Sequence, residues 1–310
     1  MNPITASFAY RADATWRLRT QSLALGRRTL VMGVVNITPN SFSDGGLFLS
    51  PTDALNRALQ LLDEGADILD LGAESTRPGS LAGGTDPAVS AEQEQARLLP
   101  ALEATLRARP TAIVSVDTYK ASTARAALLA GAEIVNDVSG FKWDRQMAAV
   151  CAEFGAGVVL MHTRGLPDEW RTQPQLPPGE LLATVRQGLV ESVGTASAAG
   201  IQPDSIVLDP GYGFGKRFDE NYALLARQAD LLSLGYPLLA GLSRKSFLAH
   251  TLSALHNGQV PADIPIEARD NATLAAVTAS ILNGASIVRV HAVRPAVEAA
   301  RIADAILAAR

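Results

Sequence analysis

Side chains able to do acid–base, anion-binding or metal chemistry recur in this chain at one kind of place, the end of a short apolar run. Asn36 closes TLVMGVVN, Asp70 stands inside DILDLG with Glu74 to Arg77 just beyond, Asp117 closes TAIVSVD, and Asn136 with Asp137 closes AEIVND. His162 closes AGVVLMH, Asp209 lies near the end of SIVLDP, Ser243 to Lys245 follow YPLLAGL, and Arg289 and His291 stand two apart in ASIVRVH. One polar residue after an apolar run can be a helix N-cap, but capping calls for neither Arg-x-His nor a Ser-Arg-Lys-Ser turn. Asp117, Asn136 and Asp209 together offer acceptors and donors suited to a flat heterocycle with amino and ring N–H groups along one edge. Arg289 and His291 face the same side of an extended strand and make an anion pocket with Asn36 if the first and last strands adjoin. The amide oxygen of Asn36 can ligate a hard cation such as Mg²⁺ beside phosphate oxygens.

Some architecture must bring these ends together. Eight apolar runs, at 29–36, 67–72, 111–117, 132–137, 156–162, 205–210, 236–243 and 285–291, alternate with Ala/Leu-rich segments of helical period. Those segments lie at 52–64, 90–108, 120–130, 144–154, 179–199, 220–233, 269–283 and 295–308. Several runs follow a glycine step, in EGADI, AGAEI, FGAGV and NGASI, that suits a left-handed helix end. Eight βα units without a strand-only stretch favour an α/β fold of the TIM (β/α)8 barrel type over an open doubly wound sheet, and a barrel gathers its C-terminal strand ends at one mouth. Residues 1–28 stand outside this rhythm, and TWRLRTQSLALGRRTL alternates apolar with polar residues. It predicts an N-terminal hairpin-like extension that caps the lower end of a single barrel domain at 29–310. NITPNSFSDGGLF and ESTRPGSLAGGTDP are long, rich in Gly, Ser, Thr and Pro, and read as lids poor in core anchors, with Arg77 a charge brought in on closure.

The bulk properties narrow the function classes. The 310 residues, 47% hydrophobic with a net charge of −4, suit a large core and argue against a general nucleic-acid binder. No apolar run reaches the ~18–20 residues of a membrane span, and the N-terminus lacks the layout of a secretory signal, so a cytoplasmic protein is expected. The single cysteine, Cys151, lies in an apolar pattern and reads as a packing residue. LDPGYGFGK, at 208–216, looks like a phosphate loop, but Lys216 is followed by Arg217 rather than Ser or Thr. It reads instead as a strand end whose glycines let the backbone turn beside a flat ligand, with Lys216 a surface charge.

GVVNITPNSFSDGG, DLGAESTRPGS, SVDTYKA, NDVSG, VVLMH, LDPGYGFGK, AGLSRKSFL and IVRVHAV, in that order from about residue 29 to the end, resemble the dihydropteroate synthase family of pterin-binding enzymes. The resemblance implies a TIM barrel that joins p-aminobenzoate to (7,8-dihydropterin-6-yl)methyl diphosphate with Mg²⁺, releasing diphosphate. It implies pterin diphosphate contacts at Thr76, Asp117, Asn136, Asp209, Lys245, Arg289, Val290 and His291, and a Mg²⁺ contact at Asn36. It also implies a p-aminobenzoate pocket from Phe42, Thr76, Arg77, Pro78, Phe214, Lys245 and Ser246, with Lys245, Arg289, His291 and Arg77 acting in catalysis. Sulfonamide competition and a homodimer built through barrel helices follow from the same resemblance. Two positions depart from the family pattern: Asn40 stands where the first loop usually has Asp, and Ala292 where RVHDV is usual. A pterin-binding methyltransferase and a catalytically silent paralogue are the competing readings.

Overall fold

The computed structural model describes residues 11–38, 50–76, 79–84, 89–256, 258 and 263–309. The chain opens with β1 (Ala14–Arg17) and β2 (Ser22–Leu25), an antiparallel hairpin, and then alternates strands with helices. In order these are β3 (Leu30–Asn36), α1 (Pro51–Asp63), β4 (Ile68–Gly72), α2 (Ala91–Ala108), β5 (Val114–Asp117), α3 (Ala121–Leu129), β6 (Ile134–Asp137) and α4 (Met147–Phe154). They continue with β7 (Gly157–Met161), α5 (Pro178–Ala198), β8 (Ile206–Asp209), α6 (Phe218–Ala226), β9 (Leu238–Ala240), α7 (Ser246–Leu252), α8 (Ile266–Leu282), β10 (Ala285–Val290) and α9 (Val293–Ala308). Strands β3 to β10 are parallel and close into a barrel, with β10 paired to β3 in the register Arg289 to Met32.

Local chemistry starts and stops these helices. Ser50 and Ser90 form capping boxes with Asp53 and Gln93, satisfying N-terminal amides of α1 and α2. The glycine steps seen in the sequence adopt the left-handed conformation, as at Gly155, φ 61°, which ends α4. Two details differ from the sequence pattern. The expected helix over 220–233 is α6 followed by a 3-10 turn at Gln228–Leu234, and α7 arises where no helix was expected. The run SFLAHTL of α7 is too short for its periodicity to stand out. Burial of Phe247, Leu248 and Ala249 holds it in place.

The strands divide their residues by parity. Outward side chains such as Val35, Leu69, Val116, Val135 and Val288 join the helices in one core. Inward ones stack in layers. The lower interior contains Met32, Ile68, Ile113, Ile134, Val159, Val207, Leu239 and Ile287, which pack on Trp16, Leu18 and Leu25 of the hairpin. The extension therefore plugs the bottom of the barrel, as its alternation predicts. Trp16 is fully buried and its indole N–H donates to the Ser205 carbonyl at 3.0 Å. Trp16→Ala is expected to cost ~3–5 kcal/mol of stability in urea denaturation, by loss of packing and a cavity. Activity of the folded fraction should be unchanged, because the plug lies at the end opposite the mouth. Cys151 is buried in the outer core, as its pattern implies.

Candidate active site

Above the apolar layer the barrel interior turns polar. Asp70 and Ser115 are register partners on β4 and β5, and Asn136, Asp209 and Arg289 come from β6, β8 and β10. Asp70 is fully buried and its Oδ2 accepts from Arg289 Nε at 2.5 Å and from Asn136 Nδ2 at 3.0 Å. The other arm of the Arg289 fork reaches Asp117 Oδ2 at 2.6 Å, so one guanidinium bridges two carboxylates. Burial raises the Asp117 carboxyl above its ordinary range; Arg289 opposes that shift and neighbouring Asp70 adds to it. Asp70 Oδ1 and Ser115 Oγ are buried and have no hydrogen-bond partner among the described residues. Such atoms are costly unless a ligand or water meets them.

A second group lies across the mouth. Asp209 is buried at the end of β8, with Oδ1 taking the Gly211 N–H at 2.7 Å. Lys245, which precedes α7, sets its ammonium 3.7 Å over the Phe214 ring. Burial pushes Lys245 down to about 7; Asp209 opposes the shift and Arg289 reinforces it. The preceding residue, Arg244, has a positive φ of 58° and is clamped by a two-pronged ion pair to Asp270 at 2.8 and 2.9 Å. That strained turn aims Lys245 inward.

The third group faces anions. His291 Nδ1 lies 2.9 Å from Ser243 Oγ, and the same hydroxyl accepts the His291 backbone N–H at 3.2 Å. With the hydroxyl hydrogen directed at Nδ1, the Nε2 tautomer carries the ring N–H, the assignment this pair of bonds favours. Burial, then the positive charges of Arg244, Arg289, Lys245 and Arg57, hold His291 far below its ordinary pKa, as a neutral imidazole. Arg57 of α1 also donates to the His291 carbonyl at 2.6 Å. Asn36 stands half-buried at the end of β3, beside β10.

The remaining expected positions divide. Thr76 is half-buried where the second loop leaves β4, and Ser246 is exposed at the start of α7. Val290 is buried with its side chain in the outer core, so it spaces Arg289 from His291 and does not line the mouth. Phe42, Arg77 and Pro78 lie outside the described residues, as does Asn40. Asp137 has a local role: its carboxylate takes the Ser139 and Phe141 amides at 2.8 and 2.9 Å and shapes the turn after β6.

Two sequence readings are corrected. Lys216 is not a surface charge. It is buried, with Nζ donating to the carbonyls of Gly211 at 2.8 Å and of His162 and Phe214 at 3.2 Å. Gly211 sits so close to β7 that a Cβ there would lie 1.9 Å from the His162 oxygen, at a φ of 72°. This bare approach turns the loop's carbonyls inward, and only a cation can satisfy three of them together. The second lid is not poor in anchors either. Lys120 pairs with Glu74 in that loop and with Glu94 of α2, and Ala82 packs against Tyr119, Val138 and Met161. Sequence reasoning also left Asp70 and Ser115 without a role. The available signal was their parity, since both alternate with inward-facing Ile68 and Ile113.

A closed parallel barrel whose polar inner layer and cationic rim open at the C-terminal strand ends has the layout of a barrel enzyme. Residues 32–291 match the pterin binding enzyme family. The chain is 40% identical over 297 residues to dihydropteroate synthase of Bacillus subtilis, covering 95% of each. It superimposes with a TM-score of 0.83 and 35% identity on the Yersinia pestis dihydropteroate synthase solved with a sulfonamide drug, covering 96% of this chain and 100% of that one. The Xanthomonas albilineans dihydropteroate synthase with 4-aminobenzoic acid gives 0.81 and 36%, with 96% and 99% covered. The chain belongs to the dihydropteroate synthase family of pterin-binding enzymes.

Proposed function

We propose that this protein condenses (7,8-dihydropterin-6-yl)methyl diphosphate with p-aminobenzoate to give 7,8-dihydropteroate and diphosphate, a transferase step of folate biosynthesis. The observation that carries the proposal is the inner polar layer: Asp70, Ser115, Asn136 and Asp209 are buried at its floor, and two of them keep polar atoms with no partner among the described residues. A pterin edge, with its amino and ring N–H groups, supplies the missing donors. Asp209 faces that edge, with Oδ1 fixed by Gly211, and Asn136 is held in orientation by Asp70.

The reaction breaks a C–O bond at a methylene whose developing positive charge is stabilised by the electron-rich ring. The protein's task is therefore to hold the leaving diphosphate and to exclude water. Arg289, neutral His291 through its Nε2–H, and the charges of Lys245 and Arg57 supply an anion-stabilising wall on that side. The aryl amine is weakly basic and neutral at pH 7, so attack requires position rather than a strong base. Phe214, under the Lys245 ammonium, gives its ring a wall. Asn36 offers one neutral amide oxygen, a donor set that fits Mg²⁺ held chiefly by phosphate oxygens and water. When bound, the ion would neutralise charge on the departing diphosphate.

Incubation with the pterin diphosphate, p-aminobenzoate and Mg²⁺, followed by measurement of diphosphate and dihydropteroate, tests the proposal. Absence of both products would overturn it. A sulfonamide should compete with p-aminobenzoate, as the relative solved with such a drug implies. The protein is proposed to act in the cytoplasm as a homodimer. Exposed Phe218 and Tyr222 on α6 and Leu255 after α7 offer apolar surface for such a contact, and sedimentation measures it.

The pH profile has a defined sign. Lys245 is depressed to about 7, so the free site loses that positive charge as pH rises through neutrality. kcat/KM should fall on the alkaline side, reporting the coupled Lys245–Asp209–Asp117 group rather than one residue. Lys245→Arg, which cannot deprotonate in this range, should lack that alkaline fall. An unchanged alkaline limb in the variant would exclude Lys245 as its origin.

A further inference from the structure

The segment between β7 and α5, residues 162–177, reaches both the glycine loop and the second loop. Its base is closed by buried charges. Arg164 donates to the Pro174 carbonyl at 2.7 Å and pairs with Glu220 of α6 at 3.2 Å, and Glu220 also takes the Leu176 amide at 2.7 Å. At its tip the Pro167 carbonyl accepts the Gly79 N–H of the second loop at 2.8 Å. Between base and tip stands Trp170, 5% exposed, with its indole N–H donating to the Gly165 carbonyl at 3.2 Å. The indole meets the Phe214 ring edge to face, with centroids 5.0 Å apart and planes at 88°. The Lys245 ammonium lies over Phe214 at 3.7 Å.

We infer that Trp170 is a positioning residue for the aryl amine: it braces Phe214 so that one ring both walls the amine pocket and carries the Lys245 ammonium. This rests on the function proposed above. The physical case is one of freedom removed. Phe214 sits in a loop whose backbone is pinned at Gly211 by Asp209 and at Gly213 by Asn221, but these bonds hold the main chain and not the ring. Lys216 fixes the Phe214 carbonyl but not the side chain. Phe214 also packs against the cluster of Ala82, Tyr119, Val138 and Met161; Trp170 adds the aromatic edge contact that fixes the tilt of the ring, and its own orientation is set by the Gly165 hydrogen bond. The pterin floor, formed by Asp70, Ser115, Asn136 and Asp209, does not depend on this contact.

The test is steady-state kinetics on the full-length protein and on Trp170→Ala and Trp170→Phe, varying each substrate in turn. Trp170→Ala is expected to raise the KM for p-aminobenzoate about tenfold and the inhibition constant of a sulfonamide in parallel, leaving the KM for the pterin diphosphate within about twofold. Trp170→Phe keeps an edge-to-face partner and should recover most of the loss, though it lacks the indole N–H. A wild-type protein without turnover overturns both this inference and the function it rests on. Wild-type turnover with equal changes in the two KM values, or with a lower Tm and no change in KM, overturns this inference alone. Should Trp170→Ala fail to fold, Trp170→Leu tests the same split, since it fills the space without an aromatic edge.

Discussion

Arg289→Ala is expected to lower kcat/KM at least ~10²-fold, about 2.7 kcal/mol of transition-state stabilisation, and to destabilise the protein as well. Both effects come from one side chain because the guanidinium serves two ends of the site. Toward the mouth it would, in the proposed reaction, contribute positive charge where diphosphate leaves. Toward the floor it bridges Asp70 at 2.5 Å and Asp117 at 2.6 Å. Asp70 has no solvent exposure, and removing one partner of a buried pair strands the other charge at a cost of ~3–5 kcal/mol. The two effects can be separated. Adding Asp70→Asn to Arg289→Ala removes the stranded charge, so urea stability should partly return while kcat/KM stays low. Near-wild-type turnover of Arg289→Ala would remove Arg289 from the reaction. Arg289→Lys should recover little, because an ammonium cannot span two carboxylates as a planar fork does.

Lys245→Ala is expected to show the opposite balance: a kcat/KM loss of at least ~10²-fold, about 2.7 kcal/mol, with stability unchanged or slightly improved. Burial holds the Lys245 ammonium well below its ordinary pKa, so the folded protein carries that charge at a cost, and alanine relieves it. What is lost is the cation that sits over Phe214 and interacts with Asp209, and that in the proposed site serves both the ring and the amine. Single-turnover measurements check whether the loss lies in chemistry. A variant that keeps its turnover, or that loses stability as Arg289→Ala does, would contradict this placement. Together the two substitutions distinguish a cation that holds the floor from one held ready above it.

Much of the architecture is legible in the chain because its signals are local. Apolar runs of period two, helical segments of period 3.6, Ser-x-x-Asp and Ser-x-x-Gln caps and glycine helix ends each depend on residues a few positions apart. So does parity within a strand, which places Asp117, Asn136, Asp209 and Arg289 on the inside. The order of the eight strand-end motifs already pointed to a pterin-binding barrel.

Only closure of the barrel decided who partners whom. Arg289 and Asp70 are 219 positions apart, and Arg289 and Asp117 are 172 apart, so no local pattern could show that one guanidinium would bridge both. Lys216 reads as a surface charge in a polar run, and it is buried because glycine lets the loop press against β7 and turns carbonyls toward its ammonium. The bracing of Phe214 by Trp170 is of the same kind, a contact across two loops with no shared period. The sequence by itself determined the eight strands, their order, most of the helices between them and the inward-facing chemical groups. The tertiary structure decided the ion pairs, the burial of Lys216, the partial burial of Lys245 and the seating of the loops, since desolvation and charge pairing depend on distances that exist only once the strands have closed.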